Sequence, residues 1–312
     1  MSGVERHVVD AERASLRLDK LLAGLPSVGS REKARQALRT GKVSVDGGAV
    51  GEHDAGKVLG LGAVVEIAWN RPGTGARRVE GQRRLEQAGV QVVSIDEHVL
   101  VADKPPGLLT DAADTEQRKR RDTLRKRVRQ YLQVPEVWPA HRIDRDTSGL
   151  VLFARTEAVK EHLLTQWHAR SPHREYRVVV EGRWDRRDGR QADWMRWDSG
   201  QRLQRPCGEN DAGAWLAEAD VEVLERFGDR ATLLGVKLVT GRRNQIRLQA
   251  MLAGHALVGE PLYRRRPATV PFPRQALHAF RLGFVHPGTQ EPVMHEAPLP
   301  ADLRRLLESL RT

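Results

Sequence analysis

One cysteine, Cys207, occurs in 312 residues. A lone thiol excludes intrachain disulfides and zinc sites built on several cysteines, and it suits a reducing compartment, so a cytoplasmic location is expected. Cys207 sits in a polar stretch, Gln204 to Asn210, with no histidine near it in sequence, which argues against a nucleophilic role. No run approaches the roughly 20 apolar residues that a bilayer-spanning helix needs, so no membrane partner is expected. Met1 to Ser15 is charged throughout and lacks the apolar core of a secretory signal. Internal repeats and low-complexity tracts are absent. Acids are also in short supply, with 41 Asp and Glu against 52 Lys and Arg, a formal net charge of +11. That excess is the footprint of a phosphate-rich partner, although an anionic membrane surface would attract it too.

The length allows one large domain and a small one, and 39% hydrophobic with 30% charged residues suits a globular chain. Leu18, Leu21, Leu22 and Leu25 predict a short amphipathic helix ended by Pro26. Ser30 is placed to cap a second helix through Ala34, Ala37 and Leu38 to Gly41, with Arg31, Lys33, Arg35 and Arg39 along it. Val43 to Gly48 reads as a strand entering an Asp-Gly turn, and Val64 to Ile67 as a strand closing this unit, residues 1–69. Residues 70–88 hold Pro72, Gly73 and Gly75 without periodicity and read as a linker. The larger domain, 89–312, opens with strands Val90–Ile95 and Val99–Ala102, broken at Asp103-Lys104-Pro105-Pro106-Gly107. Further strands are expected at Tyr176–Glu181, Ala219–Leu224 and Ala231–Leu238, and a helix at Asn244–Leu252. Strands joined by turns with few long helices predict an α+β fold on a largely antiparallel sheet.

The most informative segment is His141-Arg142-Ile143-Asp144-Arg145-Asp146-Thr147-Ser148-Gly149, which runs directly into the apolar stretch Leu150–Ala154. A loop of acids and arginines at the mouth of a buried strand is how a rigid scaffold presents chemistry. The same residues could also be a solvated surface loop. Upstream, residues 118–129 hold eight basic side chains in twelve, a density better suited to RNA phosphates than to self-repulsion. Arg125 and Arg127 are the binding candidates from that run. His255, His278, His286 and His295 lack the short spacing a metal site favours, and no metal is expected. Trp184, Trp194 and Trp197, interleaved with arginines, read as a hairpin insertion held by its tryptophans, with stacking on exposed bases as the alternative.

The His141–Gly149 run resembles the signature of the RluA-type pseudouridine synthases, with Ile143 where Leu is usual. Five other segments agree with that family in order: Asp103–Leu108, Glu175–Gly182, Thr240–Arg247, Gly254–Tyr263, and the tail from Gln275 through His286-Pro287 to Pro300. The resemblance implies a small N-terminal RNA-binding domain followed by a synthase domain on a mixed, mainly antiparallel sheet with a central active-site cleft. It implies isomerisation of uridine in RNA, without cofactor, by base flipping. On this reading Asp144 is the catalytic carboxylate and Arg247 its cationic partner. Tyr176 stacks on the base and assists at carbon 5, and Arg142 fills the vacated stack. Asp146 stands at a variable family position and is expected to be structural or solvent-facing.

Residues 16–67 also resemble the S-four RNA-binding domain, which makes Arg31, Arg35 and Arg39 RNA-contact candidates. Large-subunit ribosomal RNA is the first expected substrate and transfer RNA the second, with a monomer as the default. A non-catalytic assembly factor on the same fold and a hydrolase pairing Asp144 with Asp146 are the rivals. Arg243-Asn244 stands where Thr-His is common, Leu248-Gln249 where Val-His is, Thr110-Asp111 where His-Pro is frequent, and Asp103 where Asn is usual.

Overall fold

The computed structural model describes residues 4–69, 85–87, 89–112 and 121–312. The expected linker thus lies almost wholly outside the described residues, as do Arg118, Lys119 and Arg120 of the basic run. The chain divides into two compact units: Met1–Ala88 with Lys126–Pro135, and Gly89–Arg125 with Glu136–Thr312.

The first unit holds β1 (Val4–Val8), α1 (Leu18–Ala23), α2 (Arg31–Arg39), β2 (Val43–Val45), β3 (Gly48–Ala49) and β4 (Val64–Ala68). Its sheet runs β1-β4-β2-β3, all pairs antiparallel. Strand β1 has an alternating, half-exposed pattern in a charged segment, and the sequence reading did not anticipate it. The Ser30 side chain accepts a hydrogen bond from the Lys33 amide at 3.2 Å, which satisfies one orphan donor of α2. Spacing then decides what α2 buries. Ala34, Ala37 and Leu38 turn into a core with Leu18, Leu22, Val43, Val65 and Ile67, while Arg31, Arg35 and Arg39 fall on the opposite, exposed face.

The second unit is built on an 11-stranded sheet. Its strands are β5 (Gln91–Ile95), β6 (Val99–Lys104), β7 (Trp138–Pro139), β8 (Ser148–Ala154), β9 (His173–Glu181), β10 (Gly189–Asp198), β11 (Leu203–Pro206), β12 (Trp215–Phe227), β13 (Ala231–Leu238), β14 (Leu277–Val285) and β15 (Pro292–Glu296). The helices are α3 (Leu124–Leu132, crossing the division between units), α4 (Glu157–His168), α5 (Gln245–Leu252) and α6 (Ala301–Arg311). The order is β11-β10-β12-β13-β9-β14-β8-β6-β5, with β15 on β14 and β7 on β8. Every pairing is antiparallel except β14 with β8. Strand β8 lies inside this sheet and is buried along its whole length, which is why it reads as an unbroken apolar run. Strand β6 continues through Asp103 and Lys104, two residues past the expected break.

Register brings the site together. Ala279 of β14 pairs with Gly149 on one side and with Tyr176 on the other, so Tyr176 lies level with the first residues of β8. The approach at Gly149 leaves no room for a side chain. A Cβ there would stand 2.2 Å from the Ala279 carbonyl oxygen, and φ is +112°. Only glycine meets both conditions at this position.

Candidate active site

Asp144 lies in the loop that delivers β8, and the loop is pinned residue by residue. The Thr110 hydroxyl donates to the Ile143 carbonyl at 2.9 Å and accepts from the Ile143 amide at 3.3 Å. The Arg145 carbonyl accepts from the Gly107 amide and from the Lys104 ammonium, which also donates to the carbonyls of Pro105 and Leu108. Lys104 is fully buried, its Nζ meets three backbone oxygens, and burial pulls its pKa down to about 7. Arg274 donates to the Asp146 carbonyl at 3.0 Å. A loop held at Ile143, Arg145 and Asp146 has little freedom left, which is what a preorganised carboxylate requires.

Opposite it, the segment Thr240–Asn244 leads into α5. Gln245 braces this turn: its Oε1 accepts from the Thr240 hydroxyl at 2.8 Å and the Arg242 amide at 2.9 Å. Asn244 adopts the left-handed conformation, φ 52° and ψ 23°, which Asn tolerates better than most residues. Its Nδ2 donates to Asp144 Oδ2 at 2.7 Å, and its Oδ1 accepts from the Tyr263 hydroxyl at 3.3 Å. Arg247, one turn into α5, donates to the same Oδ2 at 3.0 Å. Among the described residues no donor reaches Oδ1, so one oxygen of Asp144 is held and the other is left for chemistry.

Arg247 is buried between two carboxylates. Its Nε and second terminal nitrogen donate to Glu260 at 2.7 and 2.6 Å, and Glu260 also accepts from the amides of Leu262 and Tyr263. Burial opposes the Arg247 cation, but Glu260 and then Asp144 more than compensate, and its pKa is raised. Burial likewise works to raise Glu260, yet the Arg247 hydrogen bonds and charge leave its pKa lowered. A carboxyl group with a lowered folded pKa stabilises the fold above its ordinary value of 4.5, and that stability is lost as pH falls through the folded value. Glu260→Gln is therefore expected to cost about 3 kcal/mol at neutral pH. The gap to wild type should narrow steadily below pH 4.5 in urea unfolding; parallel curves would contradict the pairing.

A cavity of about 230 Å³ opens beside Asp144, with Arg142, Ile143, Tyr176, Arg242, Asn244 and Leu277 in its lining. Tyr176 is buried, its hydroxyl has no hydrogen-bond partner among the described residues, and burial pushes its pKa up to about 12. The phenol is thus neutral at ordinary pH. His141 is neutral as well: burial, with help from the nearby Arg174 charge, pulls it down to about 3. Its Nε2 accepts from the Leu152 amide at 3.3 Å and its ring stacks on Trp167, so it braces the loop.

The other expected residues fall in several places. Arg142 is exposed at the cavity and has no ion-pair partner among the described residues. Asp146 pairs with exposed Arg145 at 3.3 Å rather than with Asp144. In the first unit Arg31 and Arg35 are exposed, and Arg39 forks onto Glu52 at 2.9 and 3.0 Å. Arg125 corrects the expectation of a phosphate contact. It is buried, donates to the Val137 carbonyl, and pairs with Asp111 and Glu136, because helix phase places it with Leu124 and Val128 on the inner face of α3. Arg127 is half-buried. Trp184 is core, whereas Trp197 and Trp215 remain partly exposed, with the Arg243 and Arg242 guanidinium groups 4.1 and 4.5 Å from their ring centres.

Sequence reasoning missed Asn244, Glu260, Thr110 and Lys104. In the sequence Asn244 is only a departure from a common family pattern, and Glu260 lies inside the Gly254–Tyr263 segment with nothing to mark a role.

A sequence profile described as RNA pseudouridylate synthase matches residues 98–253, half of the chain. Ribosomal large subunit pseudouridine synthase D of Pseudomonas aeruginosa is 32% identical, over 97% of this chain and 94% of that protein. The uncharacterized RNA pseudouridine synthase YlyB of Bacillus subtilis is 33% identical, over 96% of each. Among solved structures, human RNA pseudouridylate synthase domain containing 4 superimposes with a TM-score of 0.59 at 16% identity, covering 75% of this chain and 96% of that one, a likeness of fold.

Proposed function

Because the chain belongs to the RNA pseudouridylate synthase family, whose enzymes isomerise uridine to pseudouridine in RNA, we propose that it modifies specific uridines of large-subunit ribosomal RNA in the cytoplasm, with Asp144 as the catalytic carboxylate. The ribosomal assignment is supported by several full-length relatives named for that substrate. The observation that carries the role of Asp144 is its single anchored oxygen: Arg247 and Asn244 both hold Oδ2, beside a cavity closed behind by Tyr176.

The reaction breaks the bond from the ribose anomeric carbon to ring nitrogen 1, turns the uracil, and joins carbon 5 to the sugar. The proton displaced from carbon 5 leaves, and ring nitrogen 1 gains one, so atoms balance without redox. An ionised carboxylate can serve as nucleophile at carbon 6 or at the anomeric carbon, or as base at the sugar. Arg247 favours the charged form in each case. Tyr176 offers a ring face to the base and an unpartnered hydroxyl near the proton in transit. Extruding the base costs a few kcal/mol of unstacking, roughly what a planar guanidinium such as Arg142 can offset by entering the stack.

The fold of the first unit, with the exposed Arg31 and Arg35 on α2, supports its reading as an S-four-like module that grips RNA phosphates. Base-resolution pseudouridine mapping of total RNA, with and without the gene and with Asp144→Ala in trans, tests the proposal. Loss of one or more large-subunit sites, restored by wild type alone, is expected. Sites lost only in transfer RNA would reassign the substrate, and an unchanged map would return the assembly-factor reading.

A further inference from the structure

Arg174 has no part in the scheme above, yet it is buried in the wall of the same cavity. It sits on β9 two residues before Tyr176, so the strand's alternation turns both side chains to one face. Among the described residues its Nε has no hydrogen-bond partner, and one terminal nitrogen makes a long 3.4 Å bond to the Val239 carbonyl. Among the described residues no carboxylate lies within ion-pair distance of it. Every other deeply buried arginine described above, Arg125, Arg247 and Arg274, has a carboxylate. Burial accordingly lowers the pKa of Arg174.

The surroundings are shaped for its guanidinium. A Cβ on Gly241, in the turn before Asn244, would stand 2.3 Å from an Arg174 terminal nitrogen. An unpaired buried cation is costly, and a cavity wall is where a ligand can relieve the cost. A neutral carbonyl would satisfy a donor but leave the charge. An anion with several acceptor oxygens answers both, and a guanidinium fork matches phosphate geometry.

We propose that Arg174 is a phosphate subsite, holding a backbone phosphate of the nucleotide whose base enters beside Asp144 and Tyr176. This rests on the reading of the cavity as a uridine site. It assigns binding and positioning to Arg174, and the bond changes remain with Asp144.

The test compares uridine 5′-monophosphate with uridine as ligands of the full chain, by calorimetry. Wild type is expected to prefer the monophosphate by roughly ten- to a hundred-fold, the range for a hydrogen bond to a charged group. Inorganic phosphate should compete with the monophosphate and leave uridine unaffected. Arg174→Met should erase the preference while uridine still binds. Gly241→Ala, which displaces the guanidinium without removing it, should reduce the preference. Equal affinity of wild type for both ligands overturns the proposal, as does an equal loss of both in Arg174→Met. Binding of neither ligand removes the uridine reading of the cavity and the subsite with it. Base preference without phosphate preference removes the subsite alone.

Discussion

Asp144→Asn is expected to lower single-turnover pseudouridine formation on the order of 10⁴-fold or more, the scale seen when a reacting side chain is removed. The thermal midpoint should change little. The reason is the division of labour between the two oxygens. Asn keeps an oxygen that can accept from Arg247 and the Asn244 amide, so the loop stays anchored by the contacts at Thr110, Lys104 and Arg274. Arg247 is not stranded either, since Glu260 still meets it with two short hydrogen bonds. What disappears is the negative charge and its nucleophilic or basic oxygen. An Asp144→Asn protein that folds and still turns over at near wild-type rate would remove Asp144 from the chemistry.

The second large effect concerns the ion triad. Arg247→Leu should destabilise the fold by about 3–5 kcal/mol, because it leaves Glu260 charged and unpaired in a fully buried site. Adding Glu260→Leu should return most of that stability, since replacing both partners of a buried pair with apolar side chains is often close to neutral. Activity should not return. The double variant still lacks the cation that keeps Asp144 ionised and oriented, and turnover should stay about 10²-fold or more below wild type, the size of one lost preorganised electrostatic contact. Chemical denaturation and single-turnover rates measured on the same preparations separate the two roles. Activity restored together with stability would reduce Arg247 to a structural strut.

How much of this could be read from the sequence depends on how local each constraint is. The His141–Ala154 segment was legible because a strand buried on both faces must be apolar throughout, and a charged loop before it stands out. The α2 cap and face were legible because Ser30 and the Ala34, Ala37, Leu38 spacing act within one helix. Long-range partners were not. Nothing near Asn244 in sequence says that its amide meets a carboxylate 100 residues away. Lys104 reads as a surface lysine until three carbonyls are seen to surround it. The basic run misled because a count of charges ignores helix phase, and phase is what buries Arg125. The β10–β12 ribbon was only partly anticipated: Ala217, Ala219, Val221 and Val223 of β12 alternate with acids and were legible, whereas β10 is mostly exposed or half-exposed and carries little hydrophobic alternation.

The most direct measurement uses a large-subunit ribosomal RNA transcript labelled with tritium at uridine carbon 5. Purified protein is expected to release tritium to water in step with pseudouridine formation, without free uracil, and Asp144→Asn to release none. Tritium retained in the RNA with wild-type protein, or uracil liberated in its place, would contradict the account.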